Sequence, residues 1–141
     1  MLSTSHSRAY QDFLTLLKKF QTIFTKSESA ASFYPHSRGS GGVSLTNDDT
    51  NIKTSLVQEK CRNLQAYFEQ QIIPLDSEEL DMAIAARWQS VQTEIKREFK
   101  LLTTDVLFLA SCRQPATRAR RLKSISDRLA KLISYCQIML S

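Results

Sequence analysis

The residues best suited to tight turns are confined to a few places in this 141-residue chain. The three glycines, Gly39, Gly41 and Gly42, share one short window, and the three prolines, Pro35, Pro74 and Pro115, punctuate the rest. A sandwich or barrel needs turn residues at roughly every 8–12 positions. Their absence over long stretches argues against an all-β fold. The length allows one domain with a real core and is too short for two sizeable ones.

Hydrophobic spacing divides those runs into four helices. From Arg8 to Lys26, the positions Tyr10, Phe13, Leu14, Leu17, Phe20 and Phe24 recur at three- and four-residue steps, one stripe of a helix. Residues 27–48 carry six Ser, all three Gly and Pro35 without a period, and read as a long mobile loop. Asn47 or Asp48 can cap a second helix over 49–73, with Ile52, Leu56, Cys61, Leu64, Tyr67, Phe68 and Ile72 on its buried face and Pro74 ending it. Asp76 fits the next cap, Glu79 the third helical position, and Leu75 and Leu80 the flanking apolar pair.

The third helix, read as 77–112, keeps its stripe through Leu80, Ile84, Trp88, Val91, Ile95, Phe99, Leu102, Val106 and Leu109. Its expected length of about 54 Å exceeds that of the preceding helices, so part of it must bend, overhang or be covered by another copy. Between Leu101 and Leu109 it is apolar on nearly all sides, with Leu101, Leu107 and Phe108 broadening the stripe. Trp88, Phe99 and Phe108 read as core. Thr103 and Thr104 are its weakest point, because their hydroxyls can bond back to the preceding turn. A fourth helix follows Pro115, with Leu122, Ile125, Leu129, Leu132, Cys136 and Met139 as its seam, widened by Ile133 and Leu140. The expected fold is all-α: a single helical domain over 1–141, a four-helix antiparallel bundle-like assembly with one overlong helix, and dimeric.

Catalysis needs a nucleophile beside a base, paired carboxylates in a cleft, or metal ligands at workable spacing. The sequence offers none of these patterns. His6 lies near a terminus and His36 in the Gly/Ser segment, so neither has a rigid helix to place it against a thiol. Cys61, Cys112 and Cys136 are odd in number and widely spaced, which suits small apolar packing better than a disulfide framework or zinc site. No catalytic residue, cofactor or metal is expected. No run approaches the roughly 18 apolar residues of a bilayer span, and the first ten residues do not read as a secretory signal, so the expected location is the cytoplasm.

Charge is the one strongly uneven property. Residues 1–112 carry 12 Lys and Arg against 13 Asp and Glu, whereas residues 113–141 carry 7 against the single Asp127. Arg113, Arg118, Arg120, Arg121 and Lys123 precede any acid in that segment and are the candidate partner-binding residues. Positive charge near a helix N-terminus opposes the macrodipole by about 0.3–1 kcal/mol per exposed charge. A compensating acid is therefore expected, either on a partner or on the chain itself at Glu78, Glu79 or Asp81.

The ordered pattern of Arg87-Trp88-Gln89, Thr93-Glu94-Ile95, the Leu101–Leu109 block, Arg113, Arg121, Leu132-Ile133 and Tyr135-Cys136 resembles the C-terminal half of the cyanobacterial heterocyst frequency control protein family, PatD. That resemblance spans about 50 residues and implies a small all-helical, dimeric regulator without catalysis, which sets heterocyst frequency and interacts with the tubulin-like division protein FtsZ. It assigns no partner-binding residues. Nucleic-acid binding through the basic end ranks behind this reading, since those residues share their helix with a regular buried seam and exposed stacking aromatics are not evident. Adsorption to anionic lipid ranks lower still, because Leu122, Ile125 and Leu129 are needed by the core.

Overall fold

Apolar residues at three- and four-residue steps produce four helices. The computed structural model describes residues 2–33, 52–78 and 80–141. The elements are α1 (Thr4–Phe33), α2 (Thr54–Tyr67), a π-helical turn (Phe68–Ile72) that continues α2, α3 (Met82–Ser111) and α4 (Pro115–Leu140), with no strand among the described residues. The last helix is central to the packing, lying against both α3 and α1. Pairings along the seams are consistent with a helical bundle. Asp105 of α3 meets Arg121 and Arg128 of α4, Glu98 meets Arg128, and Leu2 shares a small hollow with Trp88, Ile138 and Met139.

Most of the predicted stripe residues form the core, while Leu14, Leu80, Ile84, Val91 and Leu140 are half-buried at its edge. Tyr10, Phe13 and Leu17 of α1, Ile95 and Leu102 of α3, and Ile125, Leu129, Leu132 and Cys136 of α4 are fully buried. Phe13 stands at the junction of three elements, with ring centroids 6.2 Å from Tyr67, 5.5 Å from Phe68 and 6.2 Å from Phe99. Cys61 and Cys136 are buried free thiols, pushed by burial up to about 11 and about 12 respectively, and Cys112 is half-buried at the end of α3. α2 starts at Thr54, so Ile52, expected on its buried face, precedes it and is half-buried; on the helix the buried face includes Val57, while Leu56 and Tyr67 are only half-buried.

Several element bounds differ from those expected. Helix α1 runs to Phe33, so the first seven residues of the segment read as loop are helical, because Ser27–Phe33 contains Glu and two Ala and the breakers begin only at Pro35. The rest of that segment, with Asn47, Asp48 and His36, lies outside the described residues. Helix α3 starts at Met82 with Asp81 before it, five residues later than expected. Asp76 accepts the backbone N–H of Glu78 at 3.1 Å, a local turn that competes with a helical cap at the same residue.

The overlong helix is thereby corrected. α3 has 30 residues, about 45 Å, and α1 also has 30, so the two match and no excess length demands a second copy. Thr103 and Thr104 do bond back, both to the carbonyl of Lys100 at 2.8 and 2.9 Å, yet α3 continues through them. Phe108 is half-exposed rather than core, and Leu101 and Leu107 are exposed with it, because α3 packs on α4 and α2 and only its Leu102, Val106 and Leu109 side is buried there.

A polar network sits inside the core at one end. Trp88 Nε1–H donates to Tyr10 Oη at 3.0 Å, Tyr10 O–H donates to Gln92 Oε1, and Gln92 Nε2 donates to the carbonyl of Ile72 at 3.3 Å. Burial drives the Tyr10 phenol well above its usual pKa of 10. His6, expected to lack a rigid support, occupies the first turn of α1 and is 3% exposed. Its Nε2 lies 2.8 Å from the carbonyl oxygen of Asp76, which can only accept, so that nitrogen carries a proton and Nδ1 faces Ser3 Oγ at 2.6 Å. Tyr10→Phe strands the Trp88 donor and the Gln92 acceptor in the core. The expected loss is about 1–3 kcal/mol by urea denaturation, and unchanged stability would show that the network contributes nothing.

Candidate functional site

The basic end forms the corner where α3 passes into α4. Pro115 opens α4 and no acid stands in its first turn, so the peptide dipoles leave its amino end uncompensated from within that helix. Into this region the sequence places its cations, and the structure divides them into two groups.

Two of the five expected contact residues are held by the fold. Arg118 donates to Thr54 Oγ1 at 2.6 Å and to the carbonyl of Ile52, clasping the start of α4 to the entry of α2. Arg121 bonds Asp105 at 2.9 Å, and its guanidinium lies over the Phe108 ring, 5.0 Å from the centroid. Lys123 pairs with Asp127 at 3.6 Å, but both side chains are mostly exposed and such a pair holds little. Arg113 and Arg120 are exposed and have no carboxylate partner among the described residues. Arg113 and Arg121 border a shallow, open hollow with Phe108, Cys112 and Thr117. Among the described residues the corner thus presents two cations without a carboxylate partner, one loosely tethered lysine and a half-exposed aromatic ring, an arrangement able to attract an anionic surface.

The compensating acid is Asp105, not Glu78 or Asp81; Glu79 lies outside the described residues. Asp105 and Glu98 stand two helical turns apart on the α4-facing side of α3 and are 5% and 6% exposed. Opposite them Arg121, Ser124 and Arg128 share one face of α4. Arg128, not among the expected site residues, donates through Nε to Asp105 at 2.6 Å and through a terminal nitrogen to Glu98 at 3.0 Å, while Ser124 donates to Asp105 at 2.7 Å. Burial alone would raise the Asp105 carboxyl, but the hydrogen bonds from Arg128, Ser124 and Arg121 and the Arg128 charge outweigh it and hold the group below its ordinary 3.8. Burial likewise disfavours the Arg128 cation, and its bonds to Asp105 and Glu98 more than restore it. The matched seven-residue spacing of Glu98 with Asp105 and of Arg121 with Arg128 was available in the sequence as a signal of this pairing.

Among the described residues, no three His, Cys, Asp or Glu side chains converge to hold a metal ion, and no helix is long and apolar enough to cross a membrane. Fold and site together describe an all-helical chain with a cationic corner braced from beneath by a buried ion-pair network. No protein-family model, curated protein or solved structure matches the chain.

Proposed function

We propose that this chain is a non-catalytic cytoplasmic regulator of the PatD kind, which modulates heterocyst frequency by binding the division protein FtsZ. In this reading its antiparallel four-helix bundle works as a homodimer and offers the α3–α4 corner to an acidic partner. The observation that carries it is the pair of exposed arginines, Arg113 and Arg120, without a carboxylate partner among the described residues, at the head of a segment holding 7 of the chain's 19 Lys and Arg. The ordered pattern from Arg87 to Cys136 supports the choice of partner.

Co-sedimentation with FtsZ filaments tests the proposal. The protein is expected to pellet with filaments at low salt, and the double variant Arg113→Glu, Arg120→Glu is expected to bind roughly three- to ten-fold more weakly with its unfolding midpoint unchanged. Absence of pelleting at low salt overturns the reading. Arg118 and Arg121 are unsuitable for this test, since reversing either would disturb the fold as well as the surface. A nucleic-acid regulator would use the same two arginines as phosphate contacts, and retention of a duplex or single strand in a salt-sensitive gel shift would favour it instead.

A further inference from the structure

A second surface lies on a different seam from the basic corner. Between α2 with its π-helical turn and α3 two hollows meet, sharing Gln65 and Thr103, and together form one groove from Lys96 to Leu107. Eleven residue steps along α3 make it about 16 Å long, room for about three turns of a docked helix.

Its floor is apolar. Cys61 and Val106 lie under one half, and the stacked rings of Phe68 and Phe99, 4.4 Å between centroids, under the other. Each end carries an exposed apolar side chain, Leu107 at 70% and Ile73 at 43%. The π-helical turn contributes to the second. The Ile73 N–H reaches back five residues to the carbonyl of Phe68 at 2.9 Å, and the inserted residue leaves Ile72 buried and Ile73 outside.

The rim is cationic. Arg62 stands on one side and Lys96 and Lys100 on the other, all exposed and without a carboxylate partner among the described residues. Among the described residues the one acid lining the groove is Glu69, which accepts a hydrogen bond from Gln65 at 3.2 Å. An apolar trough between unpaired positive charges matches a helix with a narrow hydrophobic stripe flanked by Asp and Glu.

We infer that the α2–α3 groove is a docking site for an acidic amphipathic helix of a partner protein, separate from the corner that bears Arg113 and Arg120. The occupant's apolar positions, spaced three and four apart, rest between Leu107 and Ile73, and its flanking carboxylates meet Arg62, Lys96 and Lys100.

The probe is a fluorescent synthetic helix of about 14 residues with Leu on one stripe and Glu beside it, followed by anisotropy against the full chain; the control peptide carries Lys in place of Glu. The acidic peptide is expected to bind, to weaken at about 0.5 M salt, and to lose at least roughly ten-fold in affinity on Arg62→Glu, Lys96→Glu, Lys100→Glu. Leu107→Ala is expected to weaken it with no change in unfolding midpoint, because that side chain is mostly exposed. Arg113→Glu, Arg120→Glu is expected to leave peptide binding intact, which separates this site from the FtsZ proposal. Failure to bind, equal binding of the control peptide, or indifference to the three charge reversals overturns the inference. So does a concentration-dependent dimer that Leu107→Ala dissociates, since the occupant would then be a second copy.

Discussion

Asp105→Asn is expected to cost about 3 kcal/mol of folding stability at neutral pH, lowering the thermal midpoint by about 10 °C. The carboxylate accepts hydrogen bonds from Arg121, Ser124 and Arg128 in a place that is 5% exposed. Asparagine keeps the shape and removes the charge, leaving Arg121 without a carboxylate and Arg128 with Glu98 alone to offset the two neighbouring cations. Their side chains retain 32% and 26% exposure, so water screens part of that cost and the loss falls at the low end for a broken buried pair. The pH dependence follows from the direction of the shift. Because the native state holds this carboxyl below 3.8, the unfolded chain takes up the proton first as pH falls. The stabilisation is complete above the unfolded value and disappears as pH drops through the lower native value. Urea denaturation of both proteins should therefore give a constant difference from about pH 7 to 5 that shrinks below about pH 4. A variant within about 1 kcal/mol of the parent at neutral pH, or a difference that drifts between pH 7 and 5, would refute this account.

Phe13→Ala is expected to cost more, about 4 kcal/mol, and to leave α1 poorly held. The ring is fully buried and touches the rings of Tyr67, Phe68 and Phe99, which joins α1, α2, the π-helical turn and α3 at one point. Truncation removes the aromatic contacts and leaves a void that rigid helices on three sides can only partly close. Chemical denaturation measures the loss directly. A value under about 2 kcal/mol would mean that the junction collapses around the gap and that Phe13 is less central than its contacts imply.

The helical stripes were legible because burial follows a period. Leu122, Ile125, Leu129, Leu132, Cys136 and Met139 are all buried, as their spacing requires, and Trp88 is buried in the same way. The start of α3 was misread because Asp76 satisfies two local geometries, a cap and an Asx turn, and only tertiary packing selects between them. Charge counting located the basic end but could not apportion it. Arg118 and Arg121 look identical to Arg120 in composition, yet the first two reach acceptors on α2's entry and on α3 while Arg120 reaches none among the described residues. Asp105 was hidden for the converse reason: a single acid in an apolar block reads as the solvent side of the helix unless its seven-residue relation to Glu98 is matched with that of Arg121 to Arg128. The groove was invisible for a third reason, since it depends on the π-helical turn that turns Ile73 outward.

The partnership of α1 with α4 also sets an order of events during synthesis. The ribosome makes α1 first, but the surface that α1 rests on is supplied by the final helix, more than 80 residues downstream. At about 5–20 residues per second, the α4-facing side of α1 waits several seconds for its cover, although Phe13 can meet Tyr67 and Phe68 before then. Each nascent copy thus passes through a sticky, half-built stage of the sort that chaperones attend.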